Sequence, residues 1–238
     1  MNARPQAFAE FGRGDVKCDS CSTRSQCLIY NMAAANRAAI HPFIVEQSVK
    51  VGQQIDVQGS QSQTLKVIKV GLFKGERSGT DNSDESDTPV CLFGKGRIAG
   101  FSSLYKQPAP LSMTAITPAR VCEVPISIAY DMAFPDRGFR QFLYGAVARY
   151  IATLADWSRV TREIGLSRQL YLTLQLIADE EGSASFRIPS HIELAKLLGA
   201  RRESIARHIN QLITKGYFIK SDRWHGTVVS GLPLDKCS

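Results

Sequence analysis

The stretch that decides the fold is Ile188–Phe218, IPSHIELAKLLGARRESIARHINQLITKGYF. Ser190 followed three residues later by Glu193 has the pattern of a capping box, which predicts the start of a short helix. Three apolar residues form the predicted buried face of this helix: Ile192, Ala195 and Leu198. Gly199 supplies the tight turn that ends it, because glycine adopts left-handed backbone conformations without steric cost.

A second helix is predicted to begin at Ala200 or Arg201 and to end at Gly216. Its predicted inward face consists of three residues at helical spacing: Ile205, Ile209 and Leu212. Two helices joined by a short glycine-containing turn are typical of a helix-turn-helix. The following segment, YFIKSDRWHGTVVS, has the pattern of a hairpin, so we expect a winged version.

The outward face of the second helix carries side chains that suit base recognition. The candidate DNA-binding residues are Arg201, Arg202, Glu203, Ala206, Arg207 and Asn210. Arginine can donate two hydrogen bonds to guanine O6 and N7, and glutamate can accept from cytosine N4. The alternative is a solvated helix face with an ion pair between Glu203 and Arg207, which are four residues apart. The capping box, turn, buried face and wing together favour DNA binding.

Charge and composition agree with this interpretation. The net charge is +7, and the part from Arg137 onward holds 15 Lys and Arg against 9 Asp and Glu, whereas the first 136 residues hold 14 against 13. A basic C-terminal part favours a nucleic-acid partner. No apolar run approaches the roughly 18 residues of a membrane helix, and no apolar leader begins the chain. We therefore expect a cytoplasmic protein without a membrane partner, and no catalytic constellation suggests an enzyme.

A long helix is predicted over residues 136–163. Five apolar residues step by 4, 3, 4 and 3, as in the a and d positions of a coiled coil: Leu143, Val147, Tyr150, Leu154 and Trp157. With Ile151, they form the predicted dimerisation seam, since such a helix usually pairs with a second copy of itself. The alternative is packing against its own domain.

The region before this helix has the pattern of many short strands. TLKVIKVGLFKGE, VCLFGKGRIAGF and MTAITPARVCEVPI alternate apolar and polar residues between Gly and Pro, which predicts a small antiparallel β-barrel or β-roll. The polar, acidic segment Gly75–Pro89 is predicted to be a long exposed loop. It is either a solvated hairpin loop or a protein-contact loop.

The N-terminal segment CDSCSTRSQC contains three cysteines, Cys18, Cys21 and Cys27. In a reducing cytoplasm such a cluster favours a metal or redox site. A [4Fe–4S] cluster and a structural zinc ion both accept four thiolates. The candidates for the fourth ligand are Cys91, Cys122 and Cys237. Other interpretations are an iron–sulfur electron carrier and a disulfide switch.

A β-roll, a long helix and a winged helix-turn-helix with RRESIAR, in this order, resemble the Crp/Fnr transcription regulators over nearly the whole chain. The resemblance implies an α+β fold with an antiparallel, cyclic-nucleotide-binding-like β-roll. It also implies four parts: a cysteine segment at 1–30, a β-roll sensor at 31–135, a dimerisation helix at 136–163 and a DNA-binding domain at 164–238. Arg202, Glu203 and Arg207 match the base-reading positions of that family.

The cysteines resemble the FNR-type members, which share the C-x₂-C-x₅-C spacing and carry a remote ligand in a segment much like VCEVP. The resemblance implies a [4Fe–4S] cluster on Cys18, Cys21, Cys27 and Cys122, and a homodimer that binds palindromic DNA in the absence of oxygen. It further implies contact with RNA polymerase through the Gly75–Pro89 loop. The helix around Ala206 is closer to Crp, which favours a TGTGA-like over a TTGAT-like half-site. Nitric oxide remains a second candidate signal.

Two departures from the family pattern lead to separate expectations. Arg97 stands where Crp has a glutamate for cyclic AMP, and no arginine occurs between Ile98 and Ala119, so we expect no cyclic nucleotide to bind. Gln26 replaces the bulky apolar residue that FNR-type proteins often have before the third cysteine. We hypothesise that this polar residue leaves the cluster more open to oxidants.

Overall fold

The computed structural model describes residues 17–79 and 87–229 and confirms the predicted α+β fold. The α-helices are α1 Ala34–Ile40, α2 Ile126–Ile128, α3 Arg137–Arg162, α4 Leu166–Glu181, α5 His191–Leu198 and α6 Arg202–Thr214. The strands are β1 Val45–Val49, β2 Gln54–Asp56, β3 Thr64–Val70, β4 Phe73–Arg77, β5 Thr88–Phe93, β6 Ile98–Ala99, β7 Ser112–Ala115, β8 Ala119–Pro125, β9 Ser185–Arg187, β10 Phe218–Lys220 and β11 His225–Val228. Short 3₁₀ helices occur at Arg24–Gln26, His41–Phe43 and Phe101–Tyr105, and a π-helical turn at Ala129–Ala133. Among these described residues, no helix combines the length and hydropathy that a membrane span requires.

The β-roll consists of two four-stranded antiparallel sheets, with the strand orders β1-β8-β3-β6 and β2-β7-β4-β5. The sequence TLKVIKVGLFKGE forms two strands, β3 and β4, because the chain turns at Gly71. Gly71 has a φ of +97°, and a Cβ atom there would lie 2.5 Å from that of Ala119. Only glycine fits this close approach. The turn at Gly71 carries the chain from β3 in one sheet to β4 in the other.

Helix α3 packs most of its predicted seam against its own β-roll, which is the alternative that the sequence left open. Leu143 and Trp157 are buried within the single chain, and Trp157 Nε1 donates to the Pro89 carbonyl at 2.8 Å. Tyr150 and Leu154 pack against the core of the roll, and Val147 faces the same side beside Phe93 and Phe101. Of the six predicted seam residues, Ile151 is the one classed as exposed. These long apolar side chains thus fill the core of the single chain, where burial removes their apolar surface from water.

The face of α3 that is left uncovered is one residue out of register with the predicted seam. Tyr144 is 61% exposed and Ile151 is 63% exposed. With two exposed alanines, they form a stripe at steps of 4, 3 and 4: Tyr144, Ala148, Ile151 and Ala155. We call these four residues the exposed stripe. Small and apolar side chains at this spacing allow two helices to approach closely.

The C-terminal part is a winged helix-turn-helix, as predicted. Ser190 caps α5 by accepting a hydrogen bond from the Glu193 amide at 3.2 Å, and Gly199 ends the helix in a left-handed conformation. The buried face of α5 differs from the prediction: Ile192 is exposed, and the buried apolar residues are Leu194, Ala195 and Leu197. Strands β10 and β11 follow α6 and, together with β9, which precedes α5, form a three-stranded sheet in the order β10-β11-β9.

A single hydrophobic cluster joins the β-roll to the winged helix. Leu72, Leu92 and Ile116 of the roll belong to the same cluster of buried residues as Leu174 of α4 and Ile205 of α6. Each of these five side chains is at most 1% exposed. The sequence-based boundary at residue 164 therefore separates two segments of chain that share one core.

Candidate functional site

The cysteine segment, Cys18–Cys27, folds as a series of tight turns over β3. The Cys21 amide donates to the Cys18 carbonyl at 3.2 Å, and the Cys27 amide donates to the Arg24 carbonyl at 3.2 Å. The Thr23 hydroxyl is buried and donates to the Lys69 carbonyl at 2.8 Å, which anchors the segment to β3. The Thr23 amide lies 3.4 Å from Cys21 Sγ and donates to it. Such N–H···S bonds stabilise thiolate ligands in iron–sulfur proteins.

Cys122 lies on β8, in the strand beside which the cysteine segment docks. In the sheet it pairs with Glu46 on β1 and with Val67 on β3. Cys18, Cys27 and Cys122 are half-buried and pack against one hydrophobic cluster, which includes Leu28, Ile29, Leu65 and Val67. The structure thus brings Cys122 to the N-terminal cysteines, across a separation of nearly a hundred residues.

The N-terminal cysteines and Cys122 influence one another electrostatically. Burial raises the pKa of Cys18 to about 11, and the neighbouring Cys27 and Cys21 add to the shift. Burial raises the pKa of Cys122 to about 12, and Cys27 and Cys18 raise it further, whereas Lys69 lowers it. Burial also raises the pKa of Cys27. Cys27 therefore opposes ionisation of Cys18 and Cys122, Cys21 opposes that of Cys18 and Cys27, and a cation among them would reverse this effect.

The donor set fits a four-thiolate centre. All four side chains are sulfur donors, three of them (Cys18, Cys27 and Cys122) share a hydrophobic floor, and Lys69 provides a positive charge beside Cys18 and Cys122. Within residues 17–79 and 87–229, no three His, Cys, Asp or Glu side chains form a group that could hold a metal ion. In this structure the four thiols therefore do not converge on a single metal-binding point.

Cys91 lies apart from this group. It is fully buried on β5 in the second sheet, where its Sγ atom would be 2.5 Å from a Cβ at Gly75. Burial raises its pKa to about 12. Cys91 therefore packs as a small core residue. Cys237, the third candidate for a fourth ligand, lies outside the described residues.

Aromatic side chains fill the space between the β-roll and α3. The Tyr150 ring stacks on Phe93 with centroids 5.0 Å apart, and meets the edge of Phe101 at 5.7 Å. The cavity that remains there has a volume of about 10 Å³. Small-molecule sites usually measure ~300–1,000 Å³. Arg97 also lines this cavity, but its side chain is engaged with Glu180 on α4.

Helix α6 presents the predicted DNA-binding residues to solvent. Ile205, Ile209 and Leu212 are buried, as predicted. On the opposite side, five of the six candidates are exposed and Ala206 is half-buried: Arg201, Arg202, Glu203, Ala206, Arg207 and Asn210. In the part of the chain that the structure describes, no ion pair joins Glu203 to Arg207, and both side chains are exposed.

The wing adds basic residues that the sequence analysis did not single out. Trp224 is 49% exposed at the tip of the β10–β11 hairpin. The guanidinium groups of Arg187 and Arg223 lie over its ring, at 5.2 and 4.8 Å from the centroid. Asp222 pairs with the His225 ring at 2.9 Å and shapes the tip. The signal in the sequence was a tryptophan flanked by charges in a hairpin turn, DRWHG.

The fold is similar to that of several solved transcription regulators. FixK2 from Bradyrhizobium japonicum aligns with a TM-score of 0.63 and 16% identity, over 78% of this chain and 92% of that one. A regulator of the CRP family from Thermus thermophilus aligns with a TM-score of 0.57 and 18% identity, over 80% and 94%. The c-di-GMP-responsive global regulator CLP of Xanthomonas campestris aligns with a TM-score of 0.56 and 16% identity, over 84% and 100%. No protein-family model and no curated protein matches the sequence.

Proposed function

We propose that this chain is a DNA-binding transcription regulator whose dimerisation and operator binding are controlled by an oxygen-labile [4Fe–4S] cluster. The regulator part rests on one observation above all: α6 buries its apolar face completely and exposes a face of arginine, glutamate and asparagine, with a basic wing beside it. The fold neighbours, which are transcription regulators, support the same conclusion.

Recognition of DNA would use two kinds of contact. Arg202, Glu203 and Arg207 are suited to base edges in the major groove. Arg187 and Arg223 of the wing are suited to phosphates, which fix the position of the protein without reading sequence. Ala206 presents a methyl group between the two reading arginines and favours a TGTGA-like half-site over a TTGAT-like one.

Dimerisation would use the exposed stripe of α3. A homodimer places two recognition helices on two half-sites about one turn of DNA apart, so the operator would be palindromic. The stripe contains two large apolar side chains that are more than 60% exposed, Tyr144 and Ile151. Burial against a second copy removes both of them from water.

Cys18, Cys21, Cys27 and Cys122 would hold the cluster. When bound, such a cluster supplies an iron centre that oxygen can attack, as the resemblance to FNR-type regulators implies. This assignment is supported by Cys18, Cys27 and Cys122 on one hydrophobic floor, and by Cys21 in electrostatic range of Cys18 and Cys27. The same donors also suit zinc, so the metal is the first property to measure.

The chain's own contacts offer a route from the cysteines to α3. After Cys27 the backbone leads into α1, and Asp136 Oδ2 accepts hydrogen bonds from the Ala33 amide at 3.0 Å and the Asn36 side chain at 2.7 Å. Asp136 Oδ1 caps α3 by accepting from the Phe139 amide at 3.0 Å. One carboxylate therefore joins the segment behind the cysteines to the first turn of the dimerisation helix.

A cyclic nucleotide is not part of this proposal. This choice is supported by the stack of Phe93, Phe101 and Tyr150, which leaves a cavity of only about 10 Å³ between the β-roll and α3. Contact with RNA polymerase remains a proposal for the connection between β4 and β5, which is shorter than the predicted Gly75–Pro89 loop because its two ends are paired strand residues. Residues 80–86 of this connection lie outside the described residues. Deleting 81–87 should abolish activation of transcription without weakening operator binding; full activation by that variant would end this assignment.

The deciding experiment is the visible spectrum of protein purified without air, measured together with its iron, sulfide and zinc content. We expect a broad brown absorption that bleaches in air, with a parallel loss of binding to palindromic DNA. A colourless protein with stoichiometric zinc would replace the cluster with a structural metal. A brown protein without affinity for any duplex would instead point to an electron carrier.

A further inference from the structure

The turn between β5 and β6, Gly94–Arg97, holds the C-terminal end of α4. The Gly94 amide donates to Glu180 Oε2 at 2.8 Å, and the Lys95 amide donates to the Glu180 backbone carbonyl at 3.0 Å. Arg97 Nε donates to Glu180 Oε2 at 2.9 Å, and its Nη2 forms a second bond to Glu180 Oε1. One residue of the DNA-binding domain is thus held by two amides and one guanidinium of the sensor domain. We call this set of bonds the Glu180 clamp.

The clamp also includes the dimerisation helix. Arg97 Nη2 donates to the Thr153 hydroxyl on α3 at 2.8 Å, and the Thr153 hydroxyl in turn donates to the Arg149 carbonyl at 2.9 Å. The side chains of Arg97 and Glu180 are 17% and 8% exposed, so the ion pair is screened little by water. Arg97 therefore ties together the β-roll, α3 and α4.

The cysteine segment touches the clamp through Gln26. Gly96, in the middle of the clamping turn, has a φ of +78°, and a Cβ atom placed there would lie 2.6 Å from Gln26 Cβ and 2.8 Å from the Gln26 carbonyl oxygen. On the other side, Gln26 Nε2 lies 3.7 Å from a Cβ at Gly182, just beyond the end of α4. Gln26, which directly precedes Cys27, is thus seated between the clamping turn and α4.

We propose that Gln26, Arg97 and Glu180 are positioning residues through which the cysteine segment sets the placement of the DNA-binding domain within each subunit. This output is separate from dimerisation, because every contact in it lies within one chain. An ordered cysteine segment holds Gln26 against Gly96, and the turn then keeps Glu180 clamped. A disordered segment withdraws that support and lets α4 move relative to α3.

The physical reason is preorganisation. Two recognition helices reach two half-sites at a fixed spacing, and freedom of each DNA-binding domain about α3 must be lost when DNA binds. The clamp removes this freedom beforehand. A contact shifts an equilibrium only by the difference between the free energies that it contributes to the two states. The Gln26–Gly96 contact exists in one state only, the one in which the cysteine segment is docked.

A pair of glycine variants perturbs this contact. In Gly96→Ala the alanine has to adopt the left-handed backbone conformation of Gly96, and its methyl group displaces Gln26. Gly59→Ala imposes the same backbone conformation, with a φ of +80°, and has nothing within 4 Å of the new methyl group. The exchange of the Gly94 and Lys95 amide hydrogens reports the clamp directly and needs no DNA. We expect exchange about tenfold faster in Gly96→Ala than in Gly59→Ala.

The second measurement uses two subunits fused in one chain, so that dimerisation is fixed. In this fusion we expect Gly96→Ala to weaken operator binding about fivefold relative to Gly59→Ala. Equal exchange in the two variants would overturn the coupling of Gln26 to the clamp. Faster exchange with unchanged operator affinity would overturn the positioning role.

The inference rests on the proposed function only for this second measurement. If the unmodified fusion binds no palindromic duplex, the proposed function fails while the exchange result still stands or falls by itself. Because Gly96→Ala also strains the clamping turn itself, Gln26→Gly is compared with Ser25→Gly, since Ser25 and Gln26 are neighbouring exposed residues and Gln26 alone contacts Gly96. The same two outcomes then decide.

Discussion

Replacing Ile151 with alanine tests whether the exposed stripe of α3 is the dimer interface. Ile151 is 63% exposed in the single chain. Complete burial of an isoleucine side chain contributes about 1.5–3 kcal/mol, so the exposed share contributes about 1–2 kcal/mol. Alanine keeps the Cβ atom, so the lower end applies, and a two-fold interface counts the change twice, giving about 2 kcal/mol per dimer. We therefore expect the dimer dissociation constant to rise about 30-fold.

The assay is sedimentation equilibrium of protein prepared without air, over a concentration range that spans the monomer–dimer transition. Ile164→Ala is the matched control, because Ile164 is 86% exposed in the connection between α3 and α4 and lies off the stripe. We expect the control to dimerise like the unmodified protein. A dissociation constant within threefold of the unmodified value for Ile151→Ala, or an equal effect of Ile164→Ala, would refute the assignment of the interface.

Three further predictions concern the DNA face, the cysteines and the cap of α3. Arg207→Ala should cost about 1–3 kcal/mol of operator affinity, or about 5- to 150-fold, with little change for a scrambled duplex; equal losses on both duplexes in a binding titration would remove its base-reading role. Cys122→Ala should lose the brown absorption and the anaerobic promoter response, whereas Cys91→Ala should keep both; a normal response from Cys122→Ala would exclude it as a ligand. Asp136→Ala should lower the free energy of urea unfolding by about 1–2 kcal/mol through loss of the cap. Burial alone would raise the pKa of Asp136, but hydrogen bonds from Phe139, Asn36 and Ala33 hold it below its usual range. Its stabilisation is therefore present above about pH 4 and lost as the pH falls through the lower folded value, and an unfolding profile in acid that is identical for Asp136→Ala would contradict this.

The elements that the sequence predicted well are those whose signals are local. The helix-turn-helix was predicted because Ser190, Gly199 and the spacing of Ile205, Ile209 and Leu212 each act within a few residues of chain. The division of the roll into short strands followed from the alternation of residues and from glycines such as Gly71. In each case the backbone preference and the burial pattern agree.

The elements that the sequence predicted poorly depend on contacts between distant segments. The a/d pattern on α3 was correctly recognised, but periodicity cannot say whether Leu143 and Trp157 meet a second copy or the chain's own roll. Arg97 was expected to matter only as a residue that a nucleotide site would not contain. Its bonds to Thr153 and Glu180 join three segments that no local pattern relates.

Gln26 is another residue whose contacts with distant segments could not be predicted from the sequence. In the sequence it was a polar residue where an apolar one was expected, and the hypothesis concerned only its effect on oxidant access. That hypothesis remains untested, and Gln26→Leu would test it by the rate of cluster decay in air. The position of Gln26 between Gly96 and Gly182 depends on the left-handed backbone conformation of Gly96, which a sequence does not specify.

The hydrophobic cluster shared by the β-roll and the winged helix has a consequence for how such proteins can be rebuilt. Leu72, Leu92 and Ile116 belong to the roll but complete the core around Leu174 and Ile205. A fragment that begins at residue 164 would carry a bare apolar surface where those three side chains belong. The winged helix therefore cannot be transferred to another protein as an independent unit. Grafting it onto another sensor would require that sensor to supply the same three apolar side chains at the same place.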